Sequence, residues 1–161
     1  MRSLSVQWAS PPHDPALAQQ SILTALKHSW DQATATPAPR HQIPVHYTGP
    51  DLAALASYHE LEPSSVIERH AGCVYTVAAV GFLPHFAYLW GLDPSLATPR
   101  RPAPRPRVPM GALGIAGSQT GVYPRDCPGG WNLIGQVPPA ACAVLLPQLK
   151  VGDEVVFEAL A

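Results

Sequence analysis

Proline constrains this chain more than any other residue: twenty of its 161 positions carry it. Each proline removes a backbone donor and fixes φ, so long helices are excluded over most of the length and short strands joined by rigid turns remain. The main exception lies near the front. The stretch PALAQQSILTALKHSW at 15–30 sets Leu17, Ile22, Leu26 and Trp30 near helical spacing, with Asp14 placed to cap it and Pro15 suited to its first turn. Before it, SLSVQW at 3–8 alternates Leu4, Val6 and Trp8 and reads as a strand. ATATPAPRHQ at 33–42 has the composition of a linker. One strand and one helix cannot bury both apolar faces alone, so residues 1–42 form a partial α/β piece that needs the rest of the chain or a partner.

From residue 43 onward the pattern is β-rich. IPVHY at 43–47 reads as a strand, PDLAALASYH at 50–59 and PSSVIERH at 63–70 as short helices, and CVYTVAAVGF at 73–82 as a buried strand. VPMGALGIAG at 108–117, WNLIGQV at 131–137 and VGDEVVFEAL at 151–160 are further strands. TPRRPAPRPR, from 98, is expected to cross the surface in a polyproline-like form. Many short strands with few helices point to a barrel or sandwich.

Charge excludes some roles. Charged residues make up 13% of the chain and the net charge is −1, which gives no field to gather nucleic acid or an anionic membrane. Cys73, Cys127 and Cys142 are odd in number and lack metal-ligand spacing, so no metal site is expected, and a reduced, cytoplasmic setting is. The first residues hold no apolar core of signal-peptide length, and no segment reaches the ~20 apolar residues that span a bilayer. The sequence has no GxxxxGK[ST], no strand-linked GxGxxG, no HExxH and no GxSxG.

GSQTGVYPRDCPGGWNLIGQ at 117–136 shows no strand periodicity until WNLIGQV. Its glycines and prolines serve either as turn residues or as a surface that holds a ligand. Gln119 offers amide donors and an acceptor, Tyr123 a hydroxyl, and Arg107 or Arg125 a guanidinium for a carboxylate. Gln119 could equally tie down its own loop, and Trp131 is either a core plug or a platform. His70, ending the 63–70 helix, is either a titrating catalyst or a capping cation. In GFLPHFAYL, the even spacing of Phe82, Phe86 and Tyr88 suits a barrel face; an exposed Phe82, Pro84 and Phe86 would instead suit a protein partner.

These segments, taken together, resemble a known family. GF-P-F-YL from Gly81 to Leu89, L-TPR at 96–100, VP-G at 108–111, AG-QTG-YP at 116–124, PGGW at 128–131 and a late GD are similar to the allophanate hydrolase subunit 1 family, also called the KipI family. That resemblance implies a mainly β chain with short helices: a cyclophilin-like β-barrel at 43–161, preceded by an α/β domain that is truncated here. It implies a subunit of an ATP-dependent 5-oxoprolinase, which cleaves 5-oxo-L-proline to L-glutamate. The expected partners are an allophanate hydrolase subunit 2-like C subunit and an A subunit, with ATP handled by the complex. On this resemblance His70, Pro84, Gln119 and Tyr123 fall on motif positions; His70 and Gln119 are the expected catalytic residues, and Tyr123, with Arg107 and Arg125 added on their chemistry alone, the expected substrate contacts. Two other roles stay open: a KipI-like inhibitor of a sensor histidine kinase, docking through Phe82, Pro84 and Phe86, and a urea amidolyase-type or allophanate hydrolase-related subunit needing biotin. The sequence departs from the family's pattern at His85, where glycine is usual, and at Cys127, where serine is.

Overall fold

A computed structural model describes residues 14–31 and 37–161. The chain divides into two units, Met1–Ala38 and Pro39–Ala161. In the first, α1 spans Pro15–Asp31. Asp14 caps it as expected: its Oδ1 accepts from the Ala16 N–H at 2.8 Å. The strand expected at 3–8 lies outside the described residues.

The second unit contains nine strands and three helices: β1 (Arg40–Val45), α2 (Leu52–Tyr58), α3 (Pro63–Ala71), β2 (Tyr75–Val80), β3 (Ala87–Trp90), β4 (Arg105–Val108), β5 (Ala112–Ala116), β6 (Gln119–Val122), β7 (Cys127–Gly129), β8 (Asn132–Gln136), α4 (Pro139–Leu145) and β9 (Glu154–Ala159). Seven strands form one sheet in the order β1-β9-β2-β3-β6-β5-β8, with only β1 and β9 parallel. Just past β1, His46 pairs with Gln136 through reciprocal backbone bonds of 2.9 and 2.8 Å, which joins the two edge strands. The sheet thus closes into a barrel and hides its edges. β4 and β7 pair as a separate two-stranded sheet.

The barrel interior follows from strand alternation. Ile43 and Val45, Tyr75 and Val77, Leu113 and Ile115, and Val155 and Phe157 turn inward, and Leu52, Leu55 and Val66 of α2 and α3 join the same cluster. Each such side chain contributes about 1.5–3 kcal/mol when fully buried, so this cluster carries most of the unit's stability. A second cluster, with Phe86, Tyr123, Trp131 and Leu133, lies on the opposite face of the β5–β6–β8 segment.

Several elements differ from expectation. The single strand expected at 108–117 is two, because Pro109 offers no N–H and Gly111 takes φ +83°, so the chain turns there and β4 and β5 enter different sheets. Residues 105–108 of the arginine/proline segment form a strand instead of a free crossover. Residues 40–42, expected in the linker, belong to β1. The 117–136 stretch contains β6 and β7, which hydrophobic patterning missed.

Candidate functional site

Two glycines prepare the site. Gly114 of β5 and Gly121 of β6 are direct register partners, and both face away from the barrel core. A Cβ on Gly121 would stand 2.8 Å from the Ala87 carbonyl oxygen and 3.3 Å from the rings of Phe86 and Trp131. On Gly114 it would stand 3.1 Å from the Trp131 Cβ. The strands are bare here because rings lie directly upon them. This is why the segment shows no hydrophobic alternation.

Phe86 is the hub of those rings. It meets Phe82, Tyr88, Tyr123 and Trp131 at centroid distances of 5.7, 4.9, 5.4 and 5.4 Å, all edge-to-face. Such geometry sets positive ring edges against negative faces and fixes the cluster beyond simple burial. The five rings, with Pro104 and the Pro128–Gly130 turn, border a cavity of about 250 Å³. One charged side chain lines it: Arg100. Burial pushes the Tyr123 hydroxyl up to about 12, a shift opposed first by a hydrogen bond from the Trp131 backbone and then by the Arg100 charge, so Tyr123 presents a neutral O–H at any physiological pH.

The rim is fastened from behind. Thr98 and Gly117 exchange backbone bonds of 3.2 and 2.7 Å, the Asn132 Nδ2 donates to the Pro99 carbonyl at 2.8 Å, and the Arg101 N–H donates to the Gly130 carbonyl at 2.8 Å. Beneath them sits the Asp51 carboxylate, 6% exposed. It accepts from Arg101 at 2.9 Å, from Arg105 at 2.7 Å and from the Leu133 N–H at 2.7 Å. A buried charge needs such partners, and this one pins the arginine/proline segment to β8.

The β2–β3 turn forms the outer wall. Phe82 and His85 there adopt φ of +69° and +68°, in the left-handed region that favours glycine. At position 85 this accounts for the family's usual glycine. Phe82 is 64% exposed, whereas Phe86 is 1% exposed. Phe82, Pro84 and Phe86 therefore do not make one exposed docking face, a correction to that expectation: Phe86 is the packing centre on which Phe82 rests.

The expected catalytic pair is also not brought together. His70 is fully buried in the barrel core, between Tyr75 and Phe157. The Thr120 hydroxyl donates to the Gly114 carbonyl at 2.9 Å, so it accepts from His70 Nε2 at 2.9 Å, and Tyr47 donates to Nδ1 at 2.8 Å. Both ring nitrogens are committed, and burial pulls the imidazole down to about 3. It is a neutral structural link with no path to a ligand. Because Thr120 turns inward to meet it, the adjacent Gln119 turns, like Gly121, to the outer face that carries the rings, but its side chain does not border the cavity.

Of the expected substrate contacts, Tyr123 lines the cavity. Arg107 does not; its Nε binds Asp126 at 2.7 Å, and it borders a separate depression with Pro50, Arg105 and Gln136. Arg125 is exposed and away from both. Cys127 is half-buried against the ring cluster, its thiol pushed up by burial. Sequence reasoning missed Arg100, although the TPR motif at 98–100 contained it.

Known proteins resemble this chain in sequence and in fold. The family described as carboxyltransferase domain, subdomain C and D, matches residues 1–141. The chain is 45% identical over 125 residues to the 5-oxoprolinase B subunit of Bacillus subtilis (strain 168), covering 72% of itself and 51% of that protein. It is 44% identical over 154 residues to the 5-oxoprolinase B subunit of Escherichia coli O157:H7, covering 89% of itself and 70% of the relative. The chain thus spans about half the length of the first of these relatives. Among solved structures, TTHA0988 superposes with a TM-score of 0.74 at 37% identity, over 92% of this chain and 31% of that one. The Kluyveromyces lactis urea amidolyase, at a TM-score of 0.62 and 15% identity over 89% of this chain and 11% of its own, shares the fold alone. On the family match and the Escherichia coli likeness, the chain belongs to the family of carboxyltransferase domain subdomains C and D, alongside the B subunits of 5-oxoprolinases.

Proposed function

We propose that this chain serves as the B-type subunit of an ATP-dependent 5-oxoprolinase, acting on 5-oxo-L-proline only in company of its partner subunits. The observation that carries this is the 44–45% identity to two 5-oxoprolinase B subunits, together with the convergence of Tyr123, Pro128–Gly130 and Trp131 on one cavity. In the reaction, water adds across the lactam C–N bond: the ring nitrogen leaves as the α-amine, and the carbonyl carbon becomes the side-chain carboxylate of L-glutamate. ATP hydrolysis to ADP and phosphate drives it.

ATP is assigned to the complex and not to this chain. The sequence has no glycine-rich phosphate loop, and a cavity of about 250 Å³ lies below the roughly 300–1,000 Å³ that drug-sized ligands occupy. The partners proposed are a C subunit related to allophanate hydrolase subunit 2 and an A subunit. Cytoplasmic operation follows from the need for ATP. Among the described residues no helix is long and apolar enough to cross a membrane. A KipI-like inhibitory role is less well supported, because one of its three proposed anchors, Phe86, is buried.

The chain mixed with its A and C partners is expected to give 5-oxoproline-dependent ADP release that vanishes when the chain is omitted. Equal release without it would overturn the assignment.

A further inference from the structure

The cavity's charge and shape identify its ligand more narrowly. Four arginines lie on residues 100–107 on the rim side, and three have carboxylate partners: Arg101 and Arg105 share Asp51, and Arg107 pairs with Asp126. Among the described residues Arg100 has no carboxylate partner, and it alone of the four lines the aromatic cavity. Its backbone is held on both sides by the bonds from Asn132 to Pro99 and from Arg101 to Gly130. Its guanidinium is exposed at the border of a ring-lined cavity, and its planar fork is open to an incoming carboxylate.

We propose that Arg100 is the carboxylate anchor of this cavity, and that the ligand is a small, flat, singly anionic ring acid. The ring would lie among Phe82, Tyr88 and Trp131, and a ring carbonyl would accept from the neutral Tyr123 hydroxyl. Ring faces with a polar edge suit an unsaturated or lactam ring. Aromatic cages of this kind also take organic cations, but the Arg100 charge repels them. The inference rests on the functional reading above only in choosing 5-oxo-L-proline as the member of that class to test first.

Calorimetric titration of the full chain compares 5-oxo-L-proline with 5-oxo-L-prolinamide, which keeps the ring but loses the charge, and with L-proline, whose ring lacks the carbonyl. The acid is expected to bind at least about tenfold more tightly than the amide, the usual scale of a charge-assisted contact. Arg100→Gln should erase that preference, and Arg100→Lys should restore part of it. The rim remains fastened in both variants, so the unfolding temperature should not move. Tyr123→Phe should weaken 5-oxo-L-proline more than L-proline. In the assembled complex, Arg100→Gln should raise KM for 5-oxo-L-proline while leaving kcat within about threefold. Equal binding of acid and amide by the native chain, retained preference in Arg100→Gln, or no binding of any ring acid overturns the inference. If the complex is active and insensitive to Arg100, the inference fails and the functional reading stands. If the complex is inactive but the chain binds ring acids through Arg100, the reverse holds.

Discussion

Replacing Asp51 by Asn tests how the rim of the cavity is held. The carboxylate accepts three bonds: two from guanidinium groups on Oδ1 and one from the Leu133 N–H on Oδ2. An amide has a single acceptor oxygen. Turned toward the arginines, it sets its NH2 against the Leu133 N–H; turned the other way, it sets that NH2 against two cations. Breaking a fully buried ion pair costs about 3–5 kcal/mol. Arg101 and Arg105 are 38% and 22% exposed, so water recovers part of their solvation, and about 2–3 kcal/mol is expected. For a unit of this size that lowers the unfolding temperature by roughly 8–12 °C. Thermal unfolding followed by near-ultraviolet circular dichroism at neutral pH provides the measurement. The Asp51→Asn, Arg101→Gln, Arg105→Gln triple variant removes the stranded charges and should recover part of the loss. A drop under about 3 °C, or a triple variant no better than the single one, would refute a buried charge clamp.

Two further perturbations probe the core and the outer wall. His70 takes up a proton in the unfolded chain below its ordinary value of 6.5 but in the folded chain only near 3. Its contribution to stability is therefore complete above pH 6.5 and declines as the pH falls toward 3, by up to about 1.4 kcal/mol per pH unit. Between pH 6.5 and 5, denaturant titrations should show about 1.5 kcal/mol of loss that is absent in His70→Gln; identical slopes would contradict a neutral buried histidine. At the strained turn, His85→Val should cost about 1–2 kcal/mol, because a β-branched side chain tolerates φ +68° poorly. His85→Gly should cost nothing or stabilise. Equal denaturation midpoints for the two would show that the backbone relaxes.

Local signals in the sequence reached most of the fold. The α1 cap at Asp14, the starts of α1 and α3 at Pro15 and Pro63, and the strands β2, β8 and β9 were all legible. β6 and β7 were not. Their glycines record the place of rings contributed by Phe86, Trp131 and Tyr123 from elsewhere in the chain, and a missing side chain leaves no periodicity to read.

The same division runs through the site. Sequence alone determined that the chain would be a turn-rich β structure, because proline density forbids long helices wherever it is high, and it marked the PGGW turn and Tyr123 as worth following. Which face each polar residue takes was decided only in three dimensions. His70 and Gln119 looked like partners, yet Thr120 is drawn inward to His70, and strand alternation then sends Gln119 out. Arg100, Arg101, Arg105 and Arg107 look alike in the sequence, and only long-range pairing with Asp51 and Asp126 distinguishes the one left facing the cavity. Composition sets what the backbone is able to do, while the partner of a charge depends on segments distant in the chain that only the folded structure brings together.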